Sequence, residues 1–348
     1  MNRGIAYALA AAALFGSSTP FAKRLLGDMH PLVLAGMLYL GSGCGLVLVL
    51  MARKFLARSP FALAWLAGSD WGWLAGAIVC GGIIAPALLM YGLATGGAAS
   101  ASLLLNLEAV LTALIAWFVF GEGFDRRIAV GMGLIVGGGA VLSWTPDAGR
   151  IAPGSALVAA ACAFWAIDNN LTRKIAANDA VIIAGLKGLF AGAFSLTLAW
   201  LLGYPMPPLA AVPSMALVGF LGYGVSLALF VLALRDLGTA RTGAYFSVAP
   251  FIGAGLAVVM LGEPITPWLL GAGALMALGV WLHISERHEH LHTHESTTHE
   301  HSHRHDEHHR HAHPAGWEGN EPHVHPHVHA PIAHRHQHFP DIHHRHPH

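Results

Sequence analysis

The sequence is poor in charge, because Asp, Glu, Lys and Arg make up 11% of its 348 residues, whereas soluble globular domains carry about 25%. Beside a hydrophobic content of 55%, this scarcity excludes an ordinary soluble domain. Cysteine is scarce as well: Cys44, Cys80 and Cys162 each lie alone in an apolar run. Unpaired cysteines in such runs predict packing residues, with no disulfide and no redox role.

Signatures of enzymes are also missing from the chain. It contains no G-x-S-x-G, no H-E-x-x-H, no Walker A motif and no paired C-x-x-C. The glycines at Gly131, Gly133 and Gly137 lie inside an apolar run and lack the strand-turn-helix setting of a nucleotide-binding loop. We therefore expect neither an enzyme nor a nucleic-acid-binding protein, and no cofactor that the function requires.

What the chain has in abundance is apolar sequence divided into ten runs, each near the ~20 residues that span a bilayer. Short breaks that contain proline, glycine or charge separate them. This pattern predicts an all-α integral membrane protein of ten transmembrane helices. The runs are Gly4–Leu26, Pro31–Met51, Trp71–Leu93, Gly97–Phe120, Ile128–Trp144, Gly154–Arg173, Ala180–Leu202, Pro213–Leu234, Gly238–Leu261 and Pro267–His283.

The ten runs form two related halves. The segment from Gly97 to Glu122 recurs as Gly238 to Glu263, at a constant offset of 141 residues, and each copy is an apolar helix that ends in Gly-Glu. Because five helices is an odd number, the second half must be inverted relative to the first, and such repeats place a cavity at their interface. We expect the first repeat at 1–144, a linker at 145–153, the second repeat at 154–284 and a tail at 285–348.

Basic residues predict how the chain lies in the membrane. With the N-terminus inside the cell, eleven Lys or Arg residues fall in the cytoplasmic flanks of the runs, and three, Lys23, Arg24 and Arg150, fall in the outer loops. Loops rich in Lys and Arg stay in the cytoplasm. The sequence thus predicts a multi-pass protein of the inner (plasma) membrane with both termini in the cytoplasm.

The repeated run that ends in Leu/Phe-Gly-Glu, with Pro250 in its second copy, resembles the EamA family of the drug/metabolite transporter superfamily. The pattern Phe15-Gly16-Ser17 followed by Lys23 is similar to the first helix of that family. The resemblance covers residues 4 to 283 and implies transport of amino acids, other metabolites or drugs, often outward. The first copy departs from the pattern, because Ala109 stands where the family commonly has proline.

Few ionisable side chains lie inside the apolar runs, and each needs a reason, since a charge in hydrocarbon costs at least about 2.5 kcal/mol. Glu108 falls mid-run and is either a site for a substrate amine or a proton, or a protonated acid bonded to a neighbouring helix. Asp168 and Lys187 fall at similar depth on an antiparallel hairpin and predict an ion pair, structural or functional. The candidate site residues are Glu108, Asn106, Asp168, Asn169, Lys187 and Tyr245.

The tail differs in composition from the rest of the chain, because 23 of the 25 histidines follow Ser285. Its low apolar content predicts disorder. Imidazole suits Zn, Ni and Co, so the tail is either a metal-binding segment or a solvated one that binds metal incidentally. The candidate metal ligands are His299, His301, His303, His305, His323, His325, His327 and His329.

Together these features predict a secondary transporter that exports a small organic metabolite or drug by alternating access, with proton coupling as an option. Two alternatives stay open. One is efflux of a divalent metal (Ni, Co or Zn) assisted by the tail, and the other is a membrane-anchored metal buffer or sensor. The expected partners are a small-molecule substrate, the lipid bilayer and divalent metal ions at the tail, and a homodimer is an open option.

Overall fold

The computed structural model describes residues 3–27, 29–56, 68, 70–120, 126–145 and 150–285, and the tail segments 289–294, 297–303, 323–329 and 332–337. Helices dominate both halves. The first half contains α1 Arg3–Leu26, α2 Pro31–Leu56, α3 Asp70–Ala77, the π-helical segment π1 Ile78–Ile84, α4 Ala85–Thr95, α5 Ala98–Leu104, α6 Asn106–Phe120 and α7 Arg126–Ser143. The second half contains α8 Pro153–Ile175, α9 Ala180–Leu201, the 3₁₀ turn Leu209–Ala211, α10 Val212–Gly219, the π-helical segment π2 Phe220–Val225, α11 Ser226–Phe246, α12 Ala249–Leu261 and α13 Pro267–Ile284.

Eight helical stretches in the described part of the chain are long and apolar enough to cross a membrane. They correspond to the first five and the seventh to ninth of the ten predicted runs. The tenth run, in α13, forms an apolar but shorter helix. The sixth, α8, is 23 residues long but carries Asp168, Arg173 and Lys174. The chain is therefore a multi-pass helical membrane protein, while ten spans stay a prediction.

The two halves are interrupted at equivalent places. The offset of 141 residues brings 79–84 onto π2, so a π-helical segment interrupts the third helix of both repeats. The fourth helix of each repeat is also broken once. The break lies at Leu105, between α5 and α6, in the first repeat and at Ser247–Val248, between α11 and α12, in the second. Pro250 follows the second break, whereas Ala109 stands at its counterpart. The first copy is thus broken without a proline. Its break contains a hydrogen bond between residues three apart, from Glu108 N to Leu105 O at 3.0 Å.

Helices α2 and α9 pack closely through glycines. A methyl group at Gly188 would overlap the backbone of Gly43, and one at Gly192 would overlap Leu40. Small residues four apart allow such an approach between membrane helices.

Short strands occur at the linker and in the tail. In the linker, β1 Trp144–Thr145 pairs with β2 Arg150–Ile151. In the tail, β3 Glu289–His294 pairs with β6 Ile332–Gln337, and β4 Thr297–His303 pairs with β5 His323–His329, both antiparallel. The disorder that the composition predicts for the tail stays a prediction. Histidine stands at every second position of these segments, which is the period of a strand. Composition alone does not reveal this period. Of the candidate metal ligands, His305 lies outside the described residues.

Candidate functional site

A cavity with two adjoining compartments lies between the two halves of the molecule. The compartments hold about 420 and 460 Å³ of empty space, part of it open to solvent, and both are lined by Phe15, Glu108, Asn169, Phe230 and Phe246. These side chains come from α1 and α6 of the first repeat and from α8 and α11 of the second. The cavity therefore lies where inverted repeats place a transport site.

Glu108 is positioned by the broken helix. The turn at Leu105 restarts the chain as α6 at Asn106, so Glu108 lies in the first turn of this helix. A helix N-terminus stabilises a nearby negative charge through its unpaired N–H groups and its dipole. The Asn169 amide Nδ2 donates a hydrogen bond to Glu108 Oε1 at 2.8 Å and a longer one to Thr112 Oγ1 at 3.3 Å. The carboxyl group of Glu108 is thus held at the cavity wall by the second repeat.

Asp168 and Lys187 form the predicted ion pair between α8 and α9. Lys187 Nζ lies 2.6 Å from Asp168 Oδ1 and 2.7 Å from Oδ2. The hydroxyl of Thr172 donates to Asp168 Oδ1 at 2.9 Å. The whole residues are 4% and 1% exposed, respectively, so the two charges are almost completely removed from solvent. Both also line the larger compartment, which makes the pair part of the cavity wall.

The π-helical segment π1 shapes the wall beside this pair. The carbonyl of Gly81 in this segment accepts two side-chain hydrogen bonds, from Tyr39 Oη at 2.7 Å and from Trp165 Nε1 at 3.0 Å. Single π-turns of this kind recur at functional sites. A methyl group at Gly81 would overlap the carboxylate of Asp168, so only glycine lets this segment approach the ion pair.

Aromatic side chains make up most of the remaining wall. The ring of Phe15 contacts Trp165, Tyr223 and Phe246 at centroid distances of 5.8, 5.8 and 5.5 Å. The ring of Tyr39 lies 5.4 Å from that of Tyr223. The cavity thus offers apolar aromatic surface to one part of a ligand and a carboxyl group to another.

The structure brings four of the six candidate site residues to the cavity, namely Glu108, Asp168, Asn169 and Lys187. Asn106 lies elsewhere, where its amide donates to Leu103 O at 3.0 Å and approaches Met276 Sδ at 3.9 Å. Tyr245 packs with the apolar cluster of Ala8, Ala233 and Leu237. A role in binding substrate stays a prediction for all six.

Sequence reasoning missed the aromatic lining and Thr112. A signal existed for two of these residues. Trp165 lies about one helical turn before Asp168 and Asn169, and Thr112 lies one turn after Glu108, so helical spacing places each on the face of its ionisable neighbour. For the phenylalanines there was no such signal, because no ionisable residue of α1 or α11 lines the cavity.

A second set of contacts joins helix ends outside the cavity. The carboxylate of Glu263, which follows α12, accepts hydrogen bonds from Ala98 N at 2.6 Å and Ala99 N at 2.8 Å, and so caps α5. Lys23 donates to the carbonyls of Leu93 and Gly96. In the predicted topology these helix ends face outward. Glu122, the counterpart of Glu263 in the first repeat, lies outside the described residues.

Comparison with known proteins places this architecture among transporters. The sequence model of the EamA-like transporter family matches residues 2–144 and 152–285. A solved crystal structure shares the fold with a TM-score of 0.62 at 19% identity, and the alignment covers 80% of this chain and 95% of the other.

Curated relatives include two proteins with named cargo. A probable amino-acid metabolite efflux pump of Salmonella typhimurium is 28% identical, over 80% of this chain and 93% of its own length. A probable terminal-alkyne amino-acid exporter of Streptantibioticus cattleyicolor is 27% identical, over 56% of this chain and 67% of its own. An uncharacterized transporter of Methanothermobacter thermautotrophicus is 28% identical, over 79% of this chain and 84% of its own.

Proposed function

Because this chain belongs to the EamA-like transporter family, a family of membrane transporters, we propose that it exports a small organic metabolite or drug that carries an amine. Export runs through the cavity between the repeats by alternating access and is coupled to protons. The observation that carries this proposal is the carboxyl group of Glu108 in an aromatic-lined cavity at the interface of the two halves. Relatives named for efflux of amino-acid metabolites support the same class of cargo.

Glu108 is the group we assign to the amine or to the proton. An acid within a membrane span is costly and marks a substrate or proton pathway unless a partner compensates it. Here the partners are neutral, namely the Asn169 amide and the start of α6. A neutral partner stabilises the carboxylate without cancelling its charge, so the charge stays available to a cationic ligand. Protonation of the same group would release that ligand, which links the two roles.

The Asp168–Lys187 pair also lines the cavity, but unlike Glu108 it is a compensated ion pair. Its charges compensate each other within 2.7 Å, so the pair presents little net charge to the cavity. We therefore assign the amine of the ligand to Glu108, and no charged group of the ligand to the pair. The aromatic rings of Phe15, Trp165 and Tyr223 would then surround the apolar part of the ligand.

Alternating access is supported by the matched breaks of the two repeats. Both copies of the fourth helix are broken near the cavity, at Leu105 and at Ser247–Val248, and both copies of the third helix contain a π-helical segment. Broken helices whose ends face a midplane site are typical of inverted-repeat transporters. We propose that these breaks are where the repeats bend as the cavity changes sides, and that both termini stay in the cytoplasm.

Efflux of a bare metal ion is the less favoured function. Within the described residues, the structure shows no group of three or more His, Cys, Asp and Glu side chains able to hold a metal ion. The cavity supplies aromatic surface where such a path needs several ligands. A pure membrane anchor is disfavoured as well, because an anchor needs neither the cavity nor a buried ion pair.

Counterflow with the purified full chain in liposomes tests the proposal. The probe set is an aromatic or aliphatic amino acid, its hydroxy-acid analogue without the amine, its amide without the carboxylate, and Zn²⁺ or Ni²⁺. We expect accumulation of the amino acid, loss of at least tenfold for the hydroxy acid, and a smaller loss for the amide. Equal transport of the hydroxy acid would contradict the role of the amine, and transport of the metal ions alone would favour metal efflux.

A further inference from the structure

We propose that the side-chain oxygen of Asn169 is a second acceptor for the ligand beside the carboxylate of Glu108, and that the two acceptors together select an ammonium group with at least two N–H bonds. This inference rests on the proposed export of an amine and narrows its class to primary and secondary amines. Tertiary and quaternary ammonium compounds are then poor cargo. The hydrogen bonds of Asn169 carry the inference.

Both amide protons of Asn169 are used within the protein. The nitrogen Nδ2 has two N–H bonds to give, and it donates to Glu108 Oε1 at 2.8 Å and to Thr112 Oγ1 at 3.3 Å. Both acceptors lie on α6, whereas Asn169 lies on α8. The amide group is therefore held by two contacts with one neighbouring helix, and its oxygen Oδ1 is the atom left for a ligand.

The carboxylate of Glu108 determines which end of the amide faces it. An ionised carboxylate only accepts hydrogen bonds, so it attracts the NH₂ end of a neighbouring amide and repels the oxygen end. The opposite orientation of the Asn169 amide would place an oxygen at the position that Nδ2 occupies, 2.8 Å from Glu108 Oε1. While Glu108 is ionised, Oδ1 of Asn169 is therefore the end turned away from the carboxylate.

The oxygen of Asn169 is accessible, unlike the oxygens of two other asparagines in this part of the fold. Oδ1 of Asn106 and Oδ1 of Asn170 are buried without a hydrogen-bond partner. Oδ1 of Asn169 also accepts no hydrogen bond from a described residue, but Asn169 is only half-buried and this atom is not sealed from solvent. Because Asn169 lines both compartments of the cavity, a ligand there can reach this acceptor.

The two acceptors are close enough to share one nitrogen atom. The oxygen and nitrogen of an amide group lie about 2.3 Å apart, and Nδ2 of Asn169 lies 2.8 Å from Glu108 Oε1. The distance from Asn169 Oδ1 to Glu108 Oε1 is therefore at most about 5 Å. An ammonium nitrogen about 2.9 Å from each acceptor spans this gap. One N–H bond then points to Glu108 and a second to Asn169.

The number of N–H bonds on the ligand sets the selectivity. A primary ammonium has three and a secondary ammonium has two, whereas a tertiary ammonium has one and a quaternary ammonium has none. A site built to accept a hydrogen bond rejects the analogue that lacks the hydrogen, because its own polar group is left unpaired. The aromatic lining acts in the opposite direction, since aromatic rings bind quaternary ammonium groups well. The order in which methylated amines are transported therefore separates the two effects.

Counterflow with the purified full chain in liposomes provides the test. The probes are phenylalanine and its N-methyl, N,N-dimethyl and N,N,N-trimethyl derivatives, which share one apolar body. The parent chain should transport the first two at similar rates and the last two at least tenfold more slowly. In Asn169→Leu, the ratio between phenylalanine and the trimethyl derivative should fall toward one. The matched control is Asn170→Leu, the next residue of α8, which does not line the compartments and should keep the ratio of the parent chain.

The ratio compares probes within one protein preparation, so a variant with a lower yield still gives an answer. Transport of the trimethyl derivative by the parent chain at the rate of phenylalanine would overturn the inference and leave the export of an amine in place. An unchanged ratio in Asn169→Leu would overturn it as well, because Asn169 would then only position Glu108. Failure of the parent chain to transport any of the four probes would count against the proposed function and this inference together.

Discussion

Lys187 and Asp168 face each other across the α8–α9 hairpin, with the ammonium nitrogen within 2.7 Å of both carboxylate oxygens. This contact fixes the register of two helices that line the cavity, and Thr172 holds the carboxylate from one turn further along α8. The pair thus joins α8 to α9 and also forms part of the cavity wall.

Removing one partner of this pair should cost more than removing both. Lys187→Met leaves the carboxylate of Asp168 buried without its cation, and breaking a buried pair in this way costs about 3–5 kcal/mol. Adding Asp168→Asn removes the stranded charge and should restore most of the loss. Thermal unfolding in detergent and membrane yield measure both variants. Losses in the double variant that simply add would show that the two side chains do not interact.

Glu263 should stabilise the contact between the end of α12 and the start of α5. Glu263→Ala removes the acceptor of Ala98 N and Ala99 N and should cost about 1–2 kcal/mol, as the loss of a charged helix cap does. The matched control is Asp236→Asn, whose half-exposed pair with Arg235 at 3.8 Å should contribute little. Equal melting temperatures for Glu263→Ala and the parent chain would contradict the capping role.

Gly81 should tolerate no side chain. Gly81→Ala places a methyl group onto the carboxylate of Asp168, so the ion pair or π1 must shift. We expect lower yield and lower transport from this variant. Gly137→Ala is the control, because nothing lies within 4 Å of a methyl group there, and the exchange should be neutral or slightly stabilising. A Gly81→Ala protein that melts and transports like the control would remove the argument for π1 as part of the site.

Topology is tested by fusion of reporters. The predicted arrangement puts both termini in the cytoplasm, so a reporter fused after His283 should be active only if it functions in the cytoplasm. A reporter at the α7–α8 linker, near Arg150, should behave in the opposite way. Activity of a periplasm-specific reporter after His283 would contradict the inverted-repeat arrangement.

The sequence predicts the Asp168–Lys187 ion pair but not the cavity around it. Asp168 and Lys187 are ionisable residues at equal distance from a hairpin turn, so their contact follows from helix geometry. The aromatic lining does not follow, because Phe15, Phe230 and Phe246 lie on helices that carry no ionisable residue at the cavity to mark its face. Asn106 and Glu108 illustrate the same point, since two residues of helix separate them by about 200° and both cannot face one cavity.

The irregular backbone segments are also hard to predict from the sequence. No proline marks the break at Leu105, and Pro86, two residues after π1, does not by itself specify a π-helical segment. The contacts of Gly81 with Tyr39 and Trp165 join π1 to residues that are distant in the sequence.

The central claim is that Glu108 couples the proton or the substrate amine to transport, and one measurement tests it most directly. The uptake of the identified amino-acid probe is recorded as a function of pH in liposomes for the parent chain, Glu108→Gln and Glu108→Asp. The glutamine variant keeps the shape and the Asn169 contact, so it should insert and fold normally but lose at least tenfold in transport and lose the pH dependence. The aspartate variant keeps the acid and should retain part of both. Full transport by Glu108→Gln with the pH profile of the parent chain would contradict the account and leave Glu108 as a packing residue.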